Sequence, residues 1–131
     1  MPVTRLEITS ERPFADGQSF GSAGPYTQID GTAHFAVDPF HPANETIADI
    51  KLPPRNAQGQ VEFSADFRVL RPDNPGRGNG RLLLDVLNRG KALALRNINS
   101  APDIAPDAPL DPGNGFLMRE GYTLVLSLIH I

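Results

Sequence analysis

The stretch RLLLDVLNRG, residues Arg81 to Gly90, decides the fold class that we expect for this chain. Its first seven residues include five large apolar side chains, a pattern typical of a strand buried on both faces of a sheet. A second apolar run, YTLVLSLIHI, extends from Tyr122 to Ile131, and NGFLMREG before it predicts a short helix with Asn114 as N-cap and Gly121 as stop. Strand, crossover, helix and strand make a βαβ unit. We therefore expect the two apolar strands to be parallel, with a right-handed crossover.

The first half of the chain predicts antiparallel strands instead. Apolar and polar residues alternate in VTRLEITS (3–10), TQIDGTAHFAVD (27–38) and VEFSADFRVLRP (61–72), which is typical of strands with one buried face. IADIKL (47–52) predicts a further short strand, and we expect side chains such as Phe63 to face the core. The sequence therefore predicts a mixed α/β fold, with antiparallel strands over residues 1–72 leading into a βαβ core over residues 81–125.

Composition excludes several classes of function. The chain has 131 residues, 40% hydrophobic and 21% charged, which suits one small domain with a core. Its net charge is -3 and its basic residues are mixed with acids, which argues against binding to nucleic acid or an anionic membrane. It has no cysteine, hence no disulfide or thiolate metal site. No apolar run suits a signal peptide or a transmembrane helix, so we expect a soluble protein, cytoplasmic by default, with secretion left open.

A G-x-S-x-G pattern at Gly17 to Gly21 raises the question of a catalytic serine at Ser19. The serine of a nucleophile elbow sits on a sharp turn between a strand and a helix. Ser19 has neither flank, because Pro13 interrupts the preceding segment and GSAGPY follows. We therefore interpret this segment as a Gly/Ser turn and reject Ser19 as a nucleophile.

Three other segments carry polar groups without a specific signal. His34 lies on the polar face of its strand, where a solvated histidine is expected. His41 lies in a Pro-rich turn with too few neighbouring ligands for a metal. GRGNG (76–80) precedes a strand, whereas a phosphate loop follows one, so it is interpreted as a connector. We identify no cofactor or metal site.

The strongest candidate site is Asn88-Arg89-Gly90, directly after the apolar strand that Arg81 begins. Ligands bind at the carboxyl ends of strands in open α/β sheets. A loop in this position can offer backbone N–H groups to a developing oxyanion. The alternative is a structural turn, in which the asparagine tolerates an unusual backbone conformation and the glycine relieves it.

Five segments taken in order resemble the N-terminal part of a family of bacterial α/β-hydrolase-domain proteins. They are EITSERPFADGQSFGSAGPY, GTAHFAVDPFHPAN, VEFSADFRVLRP, GRLLLDVLNRG and GNGFLMREGYTLV, which extend the resemblance from about Val3 to Val125. The resemblance implies an incomplete α/β-hydrolase-like sheet, in which Asn88, Arg89 and Gly90 form the oxyanion loop. It also implies that the nucleophilic serine, the acid and the histidine lie further downstream, beyond this chain.

The end of the chain departs from that resemblance. After GYTLV the sequence reads LSLIHI, which matches one translated frame of a transposon adaptor end. We therefore expect Leu126 to Ile131 to be a non-native tail on a truncated metagenomic read, so that His130 is not a catalytic base. An apolar strand cut short leaves an unpaired edge, through which we expect self-association.

Two functions follow as hypotheses. The first is the N-terminal fragment of a serine hydrolase whose intact parent cleaves an ester or related acyl bond of a small-molecule substrate; the fragment alone is expected to be inactive. The second is a β-rich module that binds a small ligand or a protein without catalysis.

Overall fold

The alternating segments form long strands of one sheet in the computed structural model, which describes residues 3–105 and 108–128. The strands are β1 (Val3–Pro13), β2 (Ser19–Phe20), β3 (Gly24–Val37), β4 (Val61–Pro72), β5 (Leu82–Val86) and β6 (Thr123–Leu128). The described part also contains two α-helices, α1 (Leu93–Ile98) and α2 (Phe116–Arg119), and short 3-10 turns at Phe14–Gly17, Gly21–Ala23, Pro42–Asn44 and Pro75–Arg77.

The prediction of an α/β fold with an α/β-hydrolase-like sheet is wrong. The described chain is mainly β, with 41% strand and 19% helix, and its six strands form one mixed sheet. The physical reason is that the helical segments are short: α1 has six residues and α2 has four. Such helices cannot cover a sheet of this width, and Gly and Pro around them stop their extension.

The order of strands in the sheet is β1-β3-β4-β6-β5, with β2 paired to β3 alone. β1, β3, β4 and β6 are antiparallel neighbours, whereas β5 pairs with β6 in parallel, with Leu84 beside Val125. The predicted parallel pairing of the two apolar strands is therefore confirmed. β6 lies between β4 and β5, so the described part of YTLVLSLIHI has both edges paired, and β5 forms the edge of the sheet.

The core lies on one face of the sheet, towards the end where β4, β5 and β6 meet. Tyr26, Leu70 and Leu124 are fully buried there, under the 3-10 turns near residues 14–23 and under α2. The cluster is completed by Phe14, Phe20, Ala23, Leu87, Leu95, Ala101, Leu110, Leu117, Met118 and Leu126. A T-shaped contact between Phe20 and Tyr26, with ring centroids 5.6 Å apart, joins the covering turns to the sheet.

Two buried polar side chains hold the connections to this core. The hydroxyl of Tyr26 donates to the carbonyl oxygens of Tyr122 (2.8 Å) and Met118 (3.1 Å). Asn99 is fully buried, and its side-chain amide donates to the Pro112 carbonyl at 2.9 Å while its Oδ1 accepts from the Leu117 N–H at 3.0 Å. Asn99 thus fastens the start of α2 to the end of α1.

The expectation that Val61, Phe63, Ala65, Phe67 and Val69 of β4 face inward holds for Val61, which is buried, and is wrong for the others. Phe63 is 49% exposed, and Ala65, Phe67 and Val69 are only partly buried. β5 was expected to be buried on both faces, yet Leu84 is 55% exposed. Both differences have one cause: the core cluster packs on the opposite face of the sheet, and among the described residues the buried side chains on this face are limited to Val61 and its partner Val37 at one end.

Several local predictions differ from the structure. IADIKL (47–52) forms turns rather than a strand, within a long β3–β4 connection. β1 extends through Pro13, into a segment expected to be a loop. Asn114 does not occupy the N-cap position of α2, which is Gly115, but its Oδ1 accepts from the Phe116 N–H at 2.9 Å.

The suspected tail is only partly described. Leu126 to Leu128 continue β6, and the Leu126 side chain is fully buried. His130 lies outside the described residues. The non-native origin of residues 126–131 stays a prediction.

Candidate functional site

The loop Asn88–Gly90 connects the carboxyl end of β5 to the segment that begins α1. The Lys91 N–H donates to the Asn88 carbonyl at 3.1 Å, which closes a tight turn. Its two central residues have positive φ, 53° at Arg89 and 77° at Gly90. This combination is the signature of a type I′ turn, in which both central residues are left-handed.

Arg89 therefore carries backbone strain. A left-handed conformation costs an L-residue other than glycine roughly 1–2 kcal/mol. The sequence suggested that Asn88 would take up the unusual conformation, but the structure gives it to Arg89 and Gly90. Strained residues of this kind concentrate at functional sites, where the surroundings hold them in place.

The turn presents two backbone donors. The described part of the chain provides no acceptor for the N–H groups of Arg89 and Gly90, whereas the Lys91 N–H is used to close the turn. Arg89 is exposed and Gly90 is partly buried. The two donors lie at the carboxyl end of a strand in a parallel pair, which is the position that the sequence predicted for an oxyanion loop.

The residues around this loop are mostly apolar. Gly90 lines a cavity of about 20 Å³ together with Leu87, Ala92, Ile104, Leu126 and other residues. A cavity of this size holds one water molecule and not an acyl group. The described residues therefore provide donors at this position but no chamber for a substrate.

Polar contacts fix the segment that follows the loop. Asp85 of β5 accepts from the Ala94 N–H at 2.8 Å, which satisfies a backbone donor in the first turn of α1. The Lys91 Nζ lies 2.9 Å from Asp103, and its hydrogen bond lowers the pKa of that carboxyl. Both contacts anchor the segment that follows Gly90, one to β5 and one to Asp103.

Ser19 lies in a setting that differs from a nucleophile elbow. It is exposed and begins β2, which has two residues and pairs with Pro25 and Gly24 of β3. A 3-10 turn at Gly21–Ala23 follows it. No helix N-terminus is thus available at Ser19 to help stabilise an oxyanion.

The other candidate residues occupy structural positions. The His34 Nε2 lies 3.0 Å from Glu7 and 3.1 Å from Arg5, both on the neighbouring strand β1. The His41 Nδ1 accepts from the Ala43 N–H at 3.1 Å and so caps the 3-10 turn that follows. GRGNG (76–80) connects β4 to β5, and Gly78 allows close packing against Gly121.

The sequence did not single out a polar cluster on the core-side face of the sheet. Asp30 lies 2.9 Å from Arg12 and 3.8 Å from Arg68, and it accepts from the Gln28 side chain at 2.9 Å. An open depression of about 280 Å³ lies beside it, lined by Thr9, Asp30, Gly31, Thr32, Asp66, Phe67 and Arg68. The only signal in the sequence was the alternation that places Gln28, Asp30 and Thr32 on one face.

Neither a metal centre nor a membrane span emerges from the described residues. Within residues 3–105 and 108–128, no group of three or more His, Asp or Glu side chains is placed to hold a metal ion. No helix in the same part of the chain is both long and apolar enough to cross a membrane.

Comparisons with known proteins give no independent assignment. No protein-family model, no curated protein and no solved structure matches this chain. The site is therefore interpreted from its own geometry, in which the turn Asn88–Gly90 presents two N–H groups without an acceptor among the described residues.

Proposed function

We propose that this chain belongs to a serine hydrolase acting on an ester or a related acyl bond, and that it contributes the oxyanion-binding turn Asn88–Gly90. The observation that supports the proposal is the pair of N–H groups on Arg89 and Gly90. They lie at the carboxyl end of β5 and have no acceptor among the described residues.

The chemistry requires donors of this kind. When a nucleophile attacks an ester carbonyl, negative charge develops on the carbonyl oxygen, and fixed N–H groups stabilise it. Donors that are already oriented cost no reorganisation during the reaction. Loss of one such donor typically costs about 10²–10³ in kcat.

The proposal assigns the nucleophile, the acid and the base to residues outside this chain. Ser19 lacks the required turn, and His34 and His41 are engaged in the contacts described above. The chain alone is accordingly expected to show no turnover of activated esters. It should also resist labelling by a serine-directed fluorophosphonate, with Ser19→Ala as the matched control, and stoichiometric labelling that this variant abolishes would contradict the proposal.

A residue-specific experiment tests the turn directly. We suggest titrating the ¹⁵N-labelled chain with methylphosphonate, a tetrahedral oxyanion, and following its amide resonances by NMR. The amide protons of Arg89 and Gly90 should shift downfield and saturate. Gly59 is the control, because it also lies in a left-handed turn (φ 75°) but its N–H already donates to the Asn56 carbonyl at 2.9 Å. If Arg89 and Gly90 shift no more than Gly59, the turn does not bind an oxyanion.

A second candidate function is a non-catalytic β-rich binding module. The observation that favours it is the depression of about 280 Å³ beside Asp30, with its arginine and carboxylate groups. The same spectra discriminate the two functions. If the chain is such a module, small polar ligands such as free sugars and amino acids should shift the amide resonances of Thr9, Asp30 and Arg68. The resonances of the turn Asn88–Gly90 should stay unchanged.

A further inference from the structure

One face of the sheet, here called the open face, exposes an unusual amount of apolar surface. Seven large side chains on it are between 40% and 62% exposed: Val3, Leu6, Ile8, Phe63, Leu82, Leu84 and Val86. Scattered apolar residues are ordinary on a protein surface, but a contiguous patch usually marks an interaction site.

The strand register shows that these residues share one side. Leu84 pairs with Val125, Val125 with Val69, and Val69 with Ile29. Leu6 and Phe63 belong to the same side, since Leu6 pairs with Ala33, Ala33 with Ala65, and Phe63 lies two residues from Ala65. Phe35 and Phe63 stack on this side, with ring centroids 4.8 Å apart. The patch thus crosses five strands, about 19 Å at the usual spacing between strands.

Charge separates the open face from the opposite one. Its charged side chains lie near one end of the strands: Glu11 pairs with Arg71 at 3.4 Å, and Asp73 accepts from the Thr27 hydroxyl. The opposite side of the same strands carries Arg5, Glu7, Arg12, Asp30 and Arg68. A surface with few charges can meet a copy of itself with little repulsion, whereas a surface rich in charges of one sign cannot.

The exposed apolar area of the open face approaches the area that a specific interface needs. A fully exposed side chain of this size offers on the order of 100 Å² of apolar surface, so seven at about half exposure offer roughly 350 Å². The partly buried Ile29, Phe35, Phe67, Val69 and Val125 enlarge the patch. Two copies would bury roughly 1,000 Å² between them, near the lower limit for a specific interface.

We propose that the open face is the interface of a homodimer, in which the sheets of two copies pack face to face around a twofold axis. Aligned sheets pack about 10 Å apart with their strands about 30° from each other, and apolar side chains fill the space between them. The occupant is a second copy because the face carries few charges and because two copies would bury an area near the lower limit for a specific interface.

This interface differs from association through a strand edge. Edge pairing would use the free backbone groups of β5 and leave β1, at the other side of the sheet, uninvolved. Face-to-face packing uses side chains of both strands. Substitutions at Leu6 and Leu84 therefore distinguish the two arrangements.

Sedimentation velocity over a range of concentrations tests the proposal. The wild-type chain should dimerise. Leu6→Lys and Leu84→Lys should each raise the dimer Kd at least about tenfold, because dimerisation would bury the charge of the introduced lysine in an apolar interface. Leu52→Lys is the matched control: Leu52 is 78% exposed but lies in the β3–β4 connection, away from the sheet, so its dimer should keep the wild-type Kd.

Circular dichroism must first show that each variant is folded. If Leu6→Lys or Leu84→Lys fails to fold, Ile8→Lys or Val86→Lys on the same strand and the same face replaces it. A wild-type chain that stays monomeric at all concentrations overturns the proposal, and so does a dimer that both lysine variants leave intact. Weakening by only one of the two variants, with the other variant folded, would indicate pairing through the edge of that strand and would also overturn the proposal.

Discussion

Removing the hydroxyl of Tyr26 should destabilise the chain by an amount that depends on pH. The ring is fully buried, and its hydroxyl provides the one hydrogen bond that the described structure gives to the Tyr122 carbonyl. The Met118 carbonyl, by contrast, also accepts from the Gly121 N–H at 3.0 Å. Tyr26→Phe thus leaves one buried acceptor unpaired, which costs about 1–3 kcal/mol of unfolding free energy.

The effect should shrink at alkaline pH. Burial raises the pKa of Tyr26 from 10.0 to about 12, because the folded chain disfavours the phenolate. The unfolded chain loses the proton first, so stability contributed by the neutral phenol is complete below pH 10 and is lost as the pH rises towards 12. Phenylalanine cannot ionise, so the gap between wild type and variant should narrow across that window.

Urea denaturation followed by circular dichroism measures both effects. At neutral pH the urea midpoint of Tyr26→Phe should lie below that of wild type. In thermal unfolding its Tm should drop by roughly 4–12 °C for a chain of this size. Tyr122→Phe is the control, since it removes the same hydroxyl from a half-buried ring whose hydroxyl has no partner among the described residues. Wild-type stability of Tyr26→Phe at neutral pH would contradict this role of the hydroxyl, and so would a difference in stability that stays constant above pH 10.

Two further substitutions test local features of the fold. Asn99→Asp replaces the amide that donates to the Pro112 carbonyl with a buried carboxylate facing that oxygen. The free energy of unfolding, measured by urea titration, should fall by at least about 3 kcal/mol. A loss below about 1 kcal/mol would mean that Asn99 does not fasten α2. Arg89→Asn should raise the unfolding free energy by about 0.5–1 kcal/mol, since asparagine before glycine suits a turn with two left-handed residues, and an equal or lower stability would contradict that conformation.

The alternation of side chains predicted the long strands well but not their environment. It located β4 at Val61–Pro72, and it correctly grouped Phe63 with Val69. Alternation says which residues share a face, but not which face another element covers. Leu70 lies on the polar side of its strand and is fully buried, because Tyr26, Leu124 and the turns near Phe14 pack over it. Contacts between such distant segments leave no trace in a local pattern.

The candidate site was predicted in place but not in conformation. The position of Asn88–Gly90 after an apolar strand follows from the sequence. The sequence also indicates that Ser19 lacks the strand and helix that flank a nucleophile elbow. Which residue of the turn is left-handed depends on how the turn closes, and Lys91 closes it onto Asn88. The polar cluster around Asp30 depends on register between β1, β3 and β4, which a single strand does not encode.

The position of β6 after β5 in the chain also determines when β5 can pair during synthesis. β5 has one neighbour in the sheet, and that neighbour is made later: Val86 leaves the peptidyl-transferase centre before Thr123 is added. At translation rates of about 5–20 residues per second, β5 waits roughly 2–8 s for its partner. During that interval Leu82, Leu84 and Val86 have neither a strand to pair with nor a core to enter. The parallel edge of the sheet is therefore expected to form after the antiparallel pairs β1–β3 and β3–β4, whose strands are all made before β5.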